Sequence, residues 1–488
     1  MRYSEQFMEY IEYAFNAFAD SAAKVFILVA ISPHIHYNEL KNTTRRTCPM
    51  NQIIYPQKPP AEPPKPESRP HMKRDLPGLW MTHDPAIFHD PVSGNYYIYC
   101  TGAICKRSRD LLHWESLGKV VSNPPEESIR WTNSRDIWAP DIVKVGNEYR
   151  LYCSNSSWGV RQSTIFLATS DSPEGPFTPK ACVLKTTDAL PVNAIDANIV
   201  TDADSGAQYL LYGSFWGGCH ILLLDKETGL PAEDGIGTCV ARRPSWMDCA
   251  IEGPYMIYHP DTKYYYLFVS YGSLKSDYNI RVGRSRCITG PFYDFHGQDL
   301  TDTADENNAI GLMISCGYRW LDGTPYMAPG HNSALIDSDG RMFLVSHIRE
   351  LNFNTDDEPS TLQIRQLYMT PDEWLIAAAQ PYAGEMLQPL TESDLAGRYE
   401  RIALTPSVPQ GIMHSHPVRL MKNGRMECCS VIGTWKKTGP YTLDIQYGTV
   451  TESIIASPAW DRELRTPTLM LSGLSDKGIC TWYKKQNR

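Results

Sequence analysis

The chain has 488 residues, with 46 Lys+Arg against 55 Asp+Glu and a net charge of −9. Apolar residues make up 42% and charged ones 21%, which excludes a mainly disordered chain, and the mild acidity gives no reason to expect an electrostatic nucleic-acid binder. With 28 Tyr, 12 Trp and 36 Pro, the composition favours strands and turns over helices, and a β-rich protein is expected.

Residues 1–76 read as an N-terminal segment and linker. No apolar run reaches the roughly 18–20 residues that span a bilayer, so no membrane span is expected. Residues 25–31 are a short apolar stretch after Lys24, but Glu5, Glu9, Glu12 and Asp20 precede it where export signals are usually positive. A cleavable signal and an ordinary segment both stay open. Residues 53–70 hold seven prolines and should form a stiff extended linker, placing a domain boundary near residue 75. The 13 cysteines cannot all pair, and no Cys-x-x-Cys occurs, so most read as small buried apolar side chains.

Beyond that point the sequence repeats. GNYYIYC (94–100), NEYRLYC (147–153), AQYLLYG (207–213), KYYYLFV (263–269) and GRMFLVS (340–346) are β-prone runs, each following a hairpin-type turn. With Tyr96, Tyr149, Tyr209, Tyr265 and Met342 as equivalents, the steps are 53, 60, 56 and 77 residues. A hairpin unit repeated at roughly this period predicts an all-β fold, a five-bladed β-propeller over residues 77–385. The long last step predicts an insertion within 293–328. Its Asp294, Asp299, Asp302, Asp305 and Glu306 read either as one wall of a cleft or as a solvated surface. From 386 to 488 the repeat stops, and a small β-sandwich or barrel domain is expected.

The residues ahead of each hairpin begin the inner strand of a blade: HDPAI (83–87), WAPDIV (138–143), IDANIV (195–200), EGPYMI (252–257) and GHNSALI (330–336). Asp196 and Glu252 lie 13 residues before their reference tyrosines, Asp84 lies 12 before its own, and His331 lies 11 before Met342. Three carboxylates and a histidine from four blades are thus expected at one axial site. Crowded carboxyl groups raise at least one pKa, giving an acid and a base, the pair that cleaves an acetal. A strand-capping role for these acids is the alternative. His83, Trp138, Phe215 and Trp216 read as sugar contacts, with Trp158 a weaker candidate, while Asn198 reads either as a sugar ligand or as a strand cap.

These motifs, with NIRVGRSRCITGPF (279–292) among them, resemble glycoside hydrolase family 43, and within it most closely the secreted two-domain endo-α-1,5-L-arabinanases. The resemblance covers 79–385 and, more loosely, the tail ending GICTWYKK. It implies an inverting hydrolase acting on arabinan, including pectin side chains, with Asp84 as base, Glu252 as acid and Asp196 tuning the acid. It also implies that His331 contacts a largely water-coordinated Ca2+ ion; a purely structural His331 stays open. The acid motif reads Glu-Gly-Pro where Glu-Ala-Pro is more usual. An exo-acting arabinofuranosidase or β-xylosidase of the same family is the nearest alternative. A non-catalytic sugar-binding propeller is the alternative of another class. A polymeric substrate favours a secreted or periplasmic protein despite the atypical N-terminus, against which free cysteines are commoner in reducing compartments.

Overall fold

A computed structural model describes residues 53–59, 82–321, 323–351, 360–407 and 411–486. The apolar stretch 25–31 and most of the proline-rich linker lie outside these residues. Among the described residues, no helix is long and apolar enough to cross a membrane.

Residues 86–377 form five antiparallel sheets of consecutive strands. Their innermost strands are Ala86–His89, Trp138–Val145, Asn198–Thr201, Ile251–His259 and Tyr326–Ile336. The second strands carry the repeat seen in the sequence, and Tyr96–Cys100 is buried at every position. A strand covered on both faces by neighbouring blades has no solvated side, so it reads as a continuous apolar run rather than an alternation. The fifth sheet is widened to six strands by Tyr318–Arg319 and Met413–His414.

Polar brackets hold adjacent inner strands together. Asp141 accepts from the Ile199 amide at 2.7 Å and the Asn198 side chain at 3.1 Å, while Asn198 accepts from the Met256 amide at 3.0 Å. Asn332 donates to the Gly253 carbonyl at 3.2 Å. The ring closes between the last and first blades, where Ser333 accepts from the Ile87 amide and donates to the Pro85 carbonyl.

The insertion occupies the connection between the third and fourth strands of blade 4, Asn279–Ser285 and Leu312–Ser315. Its carboxylates organise its own backbone: Asp294 accepts from the amides of His296, Gln298 and Gly311, and Asp305 from those of Asn307 and Ile310. It reaches the C-terminal domain, where Asn308 donates to the Pro406 carbonyl. The run is therefore self-capping turn structure rather than an acidic cleft wall.

Residues 397–485 close into an eight-stranded antiparallel barrel, its last strand pairing back to its first. The expected boundary at 385–386 falls in the connection between the two domains. One hydrophobic core crosses it, joining Phe268, Trp374 and Leu375 of the propeller to Ile402, Met470 and Trp482 of the barrel. Burying each such side chain contributes about 2 kcal/mol. The Trp482 indole also donates to the Ala377 carbonyl at 2.9 Å. Ile53 and Tyr55, at the start of the predicted linker, pack on the barrel core instead of standing free. The twelve described cysteines are all unpaired, and four of them, Cys100, Cys105, Cys153 and Cys219, are fully buried in β-strands of the propeller.

Candidate active site

An inner strand starts on one face of the propeller and the second strand returns to that face. Inner-strand starts and second-strand ends therefore share a rim, and the axial groups gather there. Asp84, Ala139, Asp196, Gly253 and His331, one from each blade, have φ of 53°, 38°, 61°, 56° and 44°. A left-handed conformation costs a non-glycine residue roughly 1–2 kcal/mol, so something must hold it.

The holding groups recur with the blades. Five residues beyond each repeat reference stand Thr101, Ser154, Ser214, Ser270 and His347. Thr101 accepts from the Ala139 amide at 3.0 Å, Ser154 from Asp196 at 2.9 Å, Ser270 from His331 at 2.9 Å, and His347 Nδ1 from Asp84 at 3.3 Å. Each blade thus caps the strained residue of the next. Blade 4 departs by one residue: there the left-handed position is Gly253, whose amide donates to Asp196 Oδ2 at 3.2 Å. Ser214 is released to donate to Glu252 Oε2 at 2.9 Å. The Glu-Gly-Pro spelling suits this, since a Cβ at Gly253 would lie 3.1 Å from His331 Cα.

Asp84 is surrounded by three imidazoles and a hydroxyl donor. His331 Nδ1 lies 3.1 Å from its Oδ1, His83 Nε2 at 3.4 Å and His347 Nδ1 at 3.8 Å, while Thr101 donates to Oδ2 at 2.5 Å. Burial opposes ionisation, but His331 first, then His83, His347 and the Thr101 hydroxyl, hold the carboxyl well below the usual carboxylate range; of the three imidazoles only His331 is itself raised, burial lowering His83 and His347. Glu252 is the opposite case. Burial pushes its pKa up, against His331, the Ser214 hydroxyl and the Tyr278 hydroxyl, which donates to Oε1 at 2.9 Å. Asp196 is raised too, by burial first, with Glu252 and Asp84 adding to it and His331 opposing. Burial alone would lower His331, yet the three carboxylates raise it. The site therefore sets Asp84, held toward its ionised form, against Glu252, held toward its protonated form, with His331 between them.

Among the other expected contacts, His83 belongs to the cage around Asp84, stacked on His347 at 4.5 Å. Trp138 is half-buried at the start of its strand, beside the capped Ala139. Phe215 and Trp216 lie on a rim loop packed closely against neighbouring segments, since a Cβ at Gly217 or Gly218 would meet the carbonyl oxygens of Pro191 and Ala241 at 2.5 and 2.3 Å. Asn198 is a correction: it is buried and both ends of its carboxamide serve the inter-blade brackets, so it is the strand cap and not a sugar ligand. Thr101, Ser154, Ser214, Ser270, Tyr278 and His347 were not picked out from the sequence. The fixed offset from the repeat reference was the available signal for all but Tyr278.

Residues 80–375 match the model of glycosyl hydrolases family 43, and residues 379–483 match that of a C-terminal lipocalin-like domain. The chain belongs to glycosyl hydrolases family 43. This family-43 glycoside hydrolase is 30% identical to the extracellular endo-α-(1→5)-L-arabinanase 2 of Bacillus subtilis (strain 168), over 83% of this chain and 92% of that one. The crystal structure of the endo-1,5-α-L-arabinanase of Thermotoga petrophila RKU-1 superposes with a TM-score of 0.77 at 28% identity, covering 85% of this chain and 100% of that one. A shorter match is the extracellular exo-α-(1→5)-L-arabinofuranosidase of Cellvibrio japonicus, 30% identical over 60% of this family-43 chain and 85% of that one.

Proposed function

We propose that this family-43 hydrolase acts outside the cell on arabinan, cleaving internal α-1,5 links with inversion. The convergence of Asp84 and Glu252 on one rim, with their pKa values pushed in opposite directions, supports the chemical part of this reading. Asp84 takes a proton from water as the water oxygen bonds to the anomeric carbon. The glycosidic C–O bond breaks as Glu252 gives its proton to the leaving oxygen, so protons balance within one step. Asp196 keeps the acid in place, its carboxylate holding the Gly253 amide next to Glu252. The two relatives matched over both domains are named endo-acting, and this favours internal cleavage.

A chromatographic product profile on linear debranched arabinan tests substrate and mode together. Early release of short oligosaccharides is expected; arabinose alone from the first minutes would establish exo action, and no release would refute the substrate. Proton NMR of the first product should show the β anomer before mutarotation.

Calcium belongs to the same reading. His331 spends Nδ1 on Asp84, leaving Nε2 without a protein partner among the described residues. One imidazole nitrogen amid three carboxylates fits a cation whose other ligands are water oxygens. The neighbouring group of His83, Asp84 and His347, with ligand atoms within 4.8 Å of one another, fits calcium less well, because two imidazoles are soft donors for it. A bound ion would supply positive charge that keeps Asp84 ionised. Calorimetric titration of the chelator-treated protein should detect calcium binding that His331→Ala loses and that weakens as pH falls, since the ligand must be a neutral imidazole. Unchanged binding by His331→Ala would remove this assignment.

A further inference from the structure

Trp246 stands outside everything assigned above. It lies in the short 3-10 turn Ser245–Met247, on the connection from blade 3 to blade 4, six residues before Glu252. By the strand directions this connection is on the catalytic rim, as are the loops carrying Trp158 and Trp216. The three indoles are 58%, 76% and 38% exposed, respectively. One exposed tryptophan means little by itself, but these share one arc of the rim, from blade 2 to blade 4.

The mounting of Trp246 is stiff. The Asp248 amide donates to Ser245, the Cys249 amide to Pro244 and the Ala250 amide to Met247. Asp248 and Cys249 are both left-handed, and the Arg243 guanidinium donates to the Ala250 carbonyl at 3.1 Å. The loop bearing Trp216 is fastened to the same place, with the Phe215 amide donating to the Ile251 carbonyl at 2.7 Å. Two exposed indoles are therefore anchored to the residues that lead directly into Glu252, while Asp84 enters from blade 1. In a single displacement the leaving group departs on the acid's side and water arrives on the base's side.

We infer that Trp246 is a platform for the leaving-group part of a polysaccharide chain, stacking on the apolar face of a sugar ring beyond the bond that is cut. The assignment rests on the arabinan reading above. Aromatic faces with convergent polar groups are the usual chemistry of such subsites. It makes Trp246 a determinant of chain-length preference.

The test compares kcat/KM of the full chain on linear arabinan and on arabinotriose for the wild type, Trp246→Ala and Trp246→Phe, with thermal unfolding as a check on folding. Trp246→Ala should lose about tenfold more on the polymer than on the trimer, chiefly through KM, and Trp246→Phe should recover most of that. Equal losses on both substrates, or no loss on the polymer, would overturn the inference. If Trp246→Ala fails to fold, Trp246→Phe against Trp246→Leu decides it, because the ring and not the bulk should restore polymer preference. A wild type inactive on arabinan would instead overturn the substrate reading on which this rests.

Discussion

Glu252→Gln is expected to lower kcat on arabinan by about 10²–10⁴-fold while the protein stays folded, the range a positioned general acid supplies. The amide nearly reproduces the carboxyl shape, and its oxygen can still accept from Tyr278 or Ser214. Burial favours a neutral group at this position, so the substitution introduces no new desolvation cost. Only the transferable proton is lost. The same raised pKa sets a pH prediction: the active form needs Glu252 protonated, so activity falls as pH rises through a value above the ordinary glutamate range. Turnover within a few-fold of wild type would remove the acid assignment.

Asp84→Asn should cost a comparable factor, and it should do so at every pH. Asparagine tolerates the left-handed φ of 53° better than most residues, so the backbone is kept. Its amide cannot take a proton from water, and His331 loses its closest counter-charge, 3.1 Å away. In the wild type the depressed pKa of Asp84 keeps the base ionised in acid, so activity is lost only as pH falls below the ordinary carboxylate range. A pH–rate profile of kcat/KM with its acid limb above about pH 5 would point to another base.

The repeat, the blade number and the axial carboxylates were legible because each depends on local pattern. Hairpin turns such as DSDG (337–340) are read from their own residues, and the register they set puts Asp84, Asp196, Glu252 and His331 at matching distances from the next strand. The acidic insertion was ambiguous for the opposite reason. Composition alone does not say that Asp294 and Asp305 bond their own backbone.

By itself the sequence determined the architecture and which side chains reach the axis, since both follow from periodicity within a blade. Only the tertiary structure decided what those side chains are at the site. The opposite pKa directions of Asp84 and Glu252, the one-residue shift at Gly253, the use of Asn198 as a brace and the core shared with the barrel all arise between segments tens to hundreds of residues apart. Ser154 meets Asp196 across a gap of 42 residues, and His347 meets Asp84 across 263. Such contacts exist only once the ring of blades has closed, because closure brings the strand ends within hydrogen-bonding distance and removes the water that would otherwise equalise their charges.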